Sequence, residues 1–171
     1  LGARVTAVAS SPEKLAAAEA EGAVELIDHR AGDLRQALRE HHPDGTDVVV
    51  DPVGGDLAEP ALRSLRGAGR FVTVGYASGT IPRIPLNLVL LKGIQLLGFQ
   101  FLTFATSAPE EMARNEAELM DLLASGRVTP HIGATFAFED VAAALRHVAD
   151  GRAIGKVALT VTPPAGPAAE P

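Results

Sequence analysis

The chain has 171 residues, 47% hydrophobic and 21% charged, with no Cys and no Trp. That length and composition suit one compact domain, or one domain with a small appendage, whose core needs neither disulfide nor metal; they exclude the disordered and disulfide-built classes. Fifteen Lys and Arg against 21 Asp and Glu give a net charge of −6, which argues against an electrostatic nucleic-acid binder, and the apolar stretch Pro85 to Leu97 is interrupted by Asn87, Lys92, Gly93 and Gln95, too broken to span a bilayer.

Leu1-Gly2-Ala3 reads as a helix end and its glycine cap, followed by a strand over Arg4 to Ala9. With no Met, charged leader or apolar signal core at its start, the chain is expected to be a fragment. Ser11 offers an N-cap oxygen, Pro12 suits the first helical position, and Gly22 stops that helix. Val24 to Asp28 forms a second short strand, and Asp33 caps a helix with Leu34, Ala37 and Leu38 on one face, ended by Pro43 and Gly45.

Asp47 to Asp51 is an apolar run between carboxylates, the pattern of a central parallel strand covered on both faces. Asp56 is expected to cap a helix carrying Leu57, Ala61, Leu62 and Leu65, closed by Gly67 and Gly69, before a strand from Arg70 to Gly75. Pro82 and Pro85 bracket a loop, a short apolar helix follows near Leu86 to Leu91, and Ile94 to Phe99 is another strand. Ser107 and Glu110 have capping-box spacing ahead of a long helix with Met112, Leu119, Met120 and Leu123 on one face, ended by Gly126. Thr135 to Phe138 and Lys156 to Val161 read as strands of a different sheet, flanking a helix with Val141, Ala144, Leu145 and Val148 on one face. The Pro/Ala-rich tail from Pro163 to Pro171 is expected to be disordered. Strands alternating with helices imply βαβ crossovers and a doubly wound, mostly parallel sheet that binds ligands at the carboxyl ends of its strands.

At such an end stands Ser10-Ser11-Pro12-Glu13-Lys14. A carboxylate closing that strand would accept a ribose 2′-OH and repel a 2′-phosphate; two hydroxyls, the N–H groups of a helix start and the Lys14 cation suit the phosphate, so a dinucleotide site here favours NADP over NAD. A plain Ser cap followed by a solvated Lys is the structural alternative. Asp51-Pro52-Val53-Gly54-Gly55 closes the central strand with glycines that allow close backbone approach, by a ligand or within a tight turn. Gly75-Tyr76-Ala77-Ser78-Gly79 ends the next strand and suits a nicotinamide, a pyrophosphate or a simple flexible turn. Arg152 and Lys156 flank the turn before the last strand, where ordinary helix-end charge competes with a binding role. The five histidines give no metal spacing, and there is no Gly-x-Ser-x-Gly elbow, P-loop or hydrolytic carboxylate pair.

Taken in order, AVASSPEK, ELIDHR, DVVVDPVGG, RFVTVGYASG, IPRIPLNLVLLKG and GRAIGKVALTV resemble the cofactor-binding half of zinc-independent medium-chain dehydrogenases of the quinone oxidoreductase type, over Leu1 to about Thr162. The resemblance implies hydride transfer from NADPH to a quinone or another α,β-unsaturated carbonyl without a catalytic metal, the cofactor supplying the chemistry. It implies that Ser10, Ser11 and Lys14 hold the 2′-phosphate and that His29, where the family often has Tyr, lies by the adenine or its phosphate. Val53 and Gly54 would line the groove, and Val74, Gly75, Tyr76 and Ser78 would approach the nicotinamide ribose. Phe99 to Phe101 would border the ring, and Arg152 and Lys156 would close over the phosphates.

Against the family pattern, the chain is expected to be without the catalytic domain, the first strand and the Gly-rich loop. The expected fold is therefore an α/β, doubly wound Rossmann-type sheet without its first strand over 1–126, a return segment to the absent catalytic domain over 127–162, and the tail over 163–171. In the order 3-2-1-4-5-6 the absent strand lies between Arg4–Ala9 and Asp47–Asp51. Its loss leaves a gap to be closed by re-pairing, by a partner chain, or not at all. The chain alone is expected to have little activity. A second reading is a catalytically inert association module, a homodimer paired through an Ile94–Phe101 edge strand. A methyltransferase-like domain suffers from the absent strand-end carboxylate. Without cysteine or a leader, a cytoplasmic location is expected.

Overall fold

The computed structural model describes residues 2–161, so the tail from Pro163 to Pro171 lies outside the described residues. Contacts divide the chain into two compact units, Leu1–Glu118 and Leu119–Pro171, a boundary upstream of Gly126.

In the first unit, β1 (Thr6–Ala9) pairs in parallel with β2 (Glu25–Asp28), Thr6 opposite Glu25 and Ala9 opposite Asp28. Between them runs α1 (Pro12–Ala20), with Pro12 at its first turn and the Ser11 side chain accepting from the Lys14 backbone N–H. The chain then enters α2 (Leu34–His41), where Asp33 Oδ1 accepts from the Gln36 backbone N–H at 2.8 Å. Both caps follow from a short oxygen-bearing side chain that reaches a helix-start N–H. Ile27, Leu34 and Leu38 form a small core, with Ala37 and Leu57 packed against it.

The second sheet of this unit has the parallel order β3 (Thr46–Asp51), β4 (Leu65–Thr73), β5 (Gln95–Gly98). A 3₁₀ turn at Gly55–Leu57 leads into α3 (Ala58–Arg63), and α4 (Asn87–Lys92) ends at Gly93, whose φ of 61° is left-handed. Their buried residues Ala58, Leu62 and Leu88 join Leu65, Phe71 and Ile94 in the larger core, with Val49 against it. Among the described residues β1 pairs only with β2 and β3 only with β4, so the gap expected between them is not closed by re-pairing.

Several expectations need correction. β3 is not covered on both faces: Val49 packs inward, while Val48 and Val50 are 41% and 63% exposed, because helices cover only the Val49 side. Asp56 is not the cap of α3; it sits inside the 3₁₀ turn. Leu65, Gly67 and Gly69 belong to β4 rather than closing a helix, since Thr46 pairs with Leu65 and pairing resumes at Val48 with Arg70. The intervening residues bulge out, with Ala68 at a φ of 60°. Ile94–Phe101 is not one continuous strand: Ile94 is buried, β5 covers four residues, and α5 (Phe101–Ser107) begins at Phe101. All four residues of β5 are exposed, on the outer edge of the sheet. Ser107 does not cap α6 (Pro109–Ala124); it closes α5, donating to the Thr103 carbonyl at 2.7 Å.

In the second unit β6 (Ile132–Ala137) pairs in parallel with β7 (Lys156–Thr160), a sheet separate from the others. α7 (Val141–Ala149) lies between them in sequence and packs on both. Phe138 leaves the strand for a 3₁₀ turn, and of the expected helix face only Ala144 is buried, Leu145 and Val148 being exposed.

Candidate functional site at the strand ends

β1 and β2 end side by side, and the His29 N–H donates to the Ala9 carbonyl at 3.1 Å. This brings His29 beside the chain segment that enters Ser10 and Ser11. Lys14, one turn into α1, curls back so that its Nζ donates to Ser10 Oγ at 3.2 Å. The end of β1 thus presents a hydroxyl, an ammonium and the N–H end of a helix, with no carboxylate on the strand itself. Asp28, closing β2, is engaged by the Arg30 backbone N–H at 2.8 Å. The opposing charge is Glu13, whose carboxyl is held below its usual range by hydrogen bonding to the Ser11 hydroxyl and its own backbone.

At the crest of the three-stranded sheet, two loops are joined by backbone hydrogen bonds. The Val74 N–H donates to the Asp51 carbonyl (2.9 Å), the Ala77 and Ser78 N–H groups to the Pro52 and Val53 carbonyls (3.0 Å each), and the Gly55 N–H to the Thr80 carbonyl (3.0 Å). Asp51, 7% exposed, holds the turn from below: Oδ1 accepts from the Val53 and Gly54 N–H groups, 2.9 Å each, while Oδ2 is buried without a partner. Gly54 has a φ of 68°, and a side chain there would stand 2.8 Å from the Tyr76 ring and 3.0 Å from the Thr80 carbonyl. The close approach that this glycine permits is therefore to the 76–80 loop, and Gly54 is buried beneath it. Ser78 is exposed, its Oγ accepting from the Thr80 N–H at 3.2 Å.

Beside this loop pair lies an open cleft of about 650 Å³, bordered by Val74, Gly75, Tyr76, Phe99, Thr103 and Phe104, among others. The Phe99 and Phe104 rings stand 5.6 Å apart. Phe101 is not among its walls and is 60% exposed; α5 turns Phe104 inward instead. Thr103 and Phe104 lie beyond the expected Phe99–Phe101 border, because α5 carries them into the cleft. The local signal for α5 is Gln100, whose side chain accepts from the Thr103 N–H at 2.5 Å. Arg152 and Lys156 belong to the second unit: Arg152 is exposed and paired with Asp150 at 3.0 Å, and the Lys156 N–H donates to the His131 carbonyl at 2.7 Å.

The geometry suits a phosphorylated dinucleotide in kind, with cationic and hydroxyl donors at one strand end and an apolar, aromatic-walled cleft at another. Zinc finds no such fit. The chain has no Cys, and among the described residues no three His, Asp or Glu side chains are gathered to share an ion. Among the described residues no helix is long and apolar enough to cross a membrane.

Known proteins are similar to this chain in sequence and fold. Quinone oxidoreductase-like protein 2 of Bos taurus is 37% identical over 162 residues, covering 94% of this chain and 46% of its own length. The crystal structure of Escherichia coli quinone oxidoreductase complexed with NADPH superposes with a TM-score of 0.84 at 26% identity, over 94% of this chain and 50% of that one. The quinone oxidoreductase of Pseudomonas syringae pv. Tomato DC3000 gives 0.81 at 29% identity, with the same coverages. The chain spans about half the length of the curated relatives it matches, and its α/β fold is of the Rossmann type found in these oxidoreductases. The family model described as zinc-binding dehydrogenase matches residues 21–159, and the chain belongs to that family, in the C-terminal half of its quinone oxidoreductase type.

Proposed function

We propose that this chain is the cofactor-binding part of a reductase that moves hydride from NADPH to a quinone or another α,β-unsaturated carbonyl, without a catalytic metal. The observation that carries the reading is the Ser10–Lys14 pair, 3.2 Å apart over the start of α1 on a strand end that bears no carboxylate. NADPH, when bound, supplies the hydride. Lys14, Ser10 and Ser11 hold the 2′-phosphate by charge-assisted hydrogen bonds, and His29 lies toward the adenine. Asp51 keeps the Val53–Gly54 turn in place beneath Tyr76, which shapes the wall along which Val74, Gly75 and Ser78 meet the nicotinamide ribose. Phe99 and Phe104 give the cleft an apolar side suited to a flat ring and to the exclusion of water. Arg152 and Lys156 are assigned to the phosphates on the family resemblance. A cytoplasmic location, supported by the cysteine-free sequence, belongs to the same reading.

Calorimetric titration with NADPH and NADH tests it. A charge-assisted contact is worth ~1.5–3 kcal/mol, so NADPH is expected to bind at least about tenfold more tightly, and Lys14→Ala should bring the two cofactors close to parity. Equal affinities for the unaltered chain would overturn the phosphate assignment.

The exposed outer strand β5 favours a second reading, an inert association module that pairs this edge with its twin in a homodimer. The edge pairing serves either reading. Light scattering that shows a folded monomer at high concentration would count against it, and NADPH binding would exclude a purely structural role.

A further inference from the structure

Away from the crest, where β3 and β4 begin, a cleft of about 290 Å³ gathers Arg35 and Arg39 from α2, Arg63 from α3, Arg66, and Lys92 from α4, with Asp44 as the one carboxylate on its walls. This concentration of positive charge stands on a chain whose net charge is −6. Arg63 is paired with Glu59 at 2.6 Å and Arg66 with Asp47, but among the described residues Arg35, Arg39 and Lys92 make no ion pair. Asp33 and Glu40 line an adjoining cavity with Arg35 and Arg39 without forming an ion pair with them among the described residues; Asp33 accepts from the Gln36 backbone and Glu40 from the Gln36 side chain, both at 2.8 Å. His42, also on the wall, is committed to Glu25 (3.0 Å) and Thr6 (2.8 Å).

Helix ends explain part of this cluster. Arg39, Arg63 and Lys92 lie in the last turns of their helices, where a cation balances the carbonyl end. Arg35 has no such explanation. It occupies the first turn of α2, where the helix dipole disfavours a cation, and it stands four residues ahead of Arg39, a like-charge spacing that opposes helix formation. A neighbouring cavity that shares Arg35 and Arg63 shows the contrast: there, together with Arg83, they meet Asp33, Asp56 and Glu59, and the walls balance. The smaller cleft lacks that balance on its own walls.

We propose that this cleft is an anion site separate from the strand-end site, taking a compound with adjacent phosphoryl groups, a di- or triphosphate. Three unpaired cations on two helices call for more than one negative charge, guanidinium forks match phosphoryl oxygens, and the space exceeds that of a single phosphate. The proposal does not rest on the nicotinamide reading.

The test is calorimetric titration of the chain with inorganic tripolyphosphate, orthophosphate and a nucleoside triphosphate at low salt. Tripolyphosphate is expected to bind at least tenfold tighter than orthophosphate. The pair Arg35→Gln and Arg39→Gln should weaken that binding at least tenfold, as should Lys92→Gln alone, while Arg83→Gln leaves it unchanged. Circular dichroism checks that each variant folds, and Lys92→Gln stands in if the double variant does not. Where the Arg35/Arg39 variant weakens both, a nucleoside triphosphate that binds as tripolyphosphate does identifies the free phosphate chain as the ligand, and tighter binding identifies the nucleotide. Unchanged affinity in the Arg35/Arg39 and Lys92 variants, no preference over orthophosphate, or loss of binding in Lys14→Ala would overturn it.

Discussion

Replacing Leu62 with Ala tests whether the single core of the three-stranded sheet holds that part of the molecule together. Leu62 has 0% exposure and lies among Ala58, Leu65, Phe71, Leu88 and Ile94, residues drawn from α3, β4, α4 and the approach to β5. Truncation removes three carbons; at ~0.8 kcal/mol per buried carbon, the transfer contribution is about 2.4 kcal/mol. The cavity left behind adds to this, because strand and helix backbones on every side limit relaxation, so a total of ~3–4 kcal/mol is expected, within the range for buried Leu→Ala changes. Against the ~5–15 kcal/mol of an ordinary domain, that is a large fraction. Urea unfolding followed by far-UV circular dichroism should show the midpoint falling by about 1–3 M with an unchanged slope. Leu90→Ala, at a position 82% exposed, is the control and should cost less than about 0.5 kcal/mol. A loss below about 1 kcal/mol for Leu62→Ala would refute the account of this core.

Two further outcomes follow from local geometry. Gly45→Ala should destabilise by ~2–4 kcal/mol in the same assay, since Gly45 has a φ of 84° and a side chain there would stand 2.7 Å from the Arg66 backbone N and 2.9 Å from the Ser64 carbonyl oxygen; a neutral substitution would contradict this geometry. Burial opposes ionisation of Glu25, yet hydrogen bonding from Thr6, together with His42 and Arg4, outweighs it and holds the carboxyl below its ordinary value. A depressed folded-state pKa stabilises the protein above the ordinary carboxyl range, and that contribution is lost as the pH falls through the depressed value. The melting temperature of the unaltered chain should therefore fall more steeply below about pH 4.3 than that of Glu25→Gln, and parallel curves would dismiss the linkage.

Short-range chemistry was legible in the residues themselves. Ser11-Pro12 and Asp33 start helices because a side-chain oxygen needs to reach only the next turn, and Gly93 ends one because its backbone enters the left-handed region. The alternation of apolar segments likewise placed β1, β2, β3 and β5 to within a few residues, and Ser10 and Lys14 meet because they stand only four residues apart, on either side of the Ser11 cap.

Long-range pairing decided the rest. Leu65 to Gly69 carry an apolar residue and two glycines that read as a helix end; they became a bulged strand start because Thr46, nineteen residues upstream, pairs with Leu65. The glycines after Asp51 suit a ligand or a tight turn equally, and only the packing of Tyr76 and Thr80 on Gly54 shows what approaches its backbone; likewise α5 decides that Phe104 rather than Phe101 lines the cleft. Val48 and Val50 are apolar enough for a buried strand, yet their exposure depends on which elements come to lie against β3. A residue's neighbours along the chain set its cap and its periodicity, whereas burial and register depend on segments that meet only after the backbone has turned, and local composition carries little trace of them.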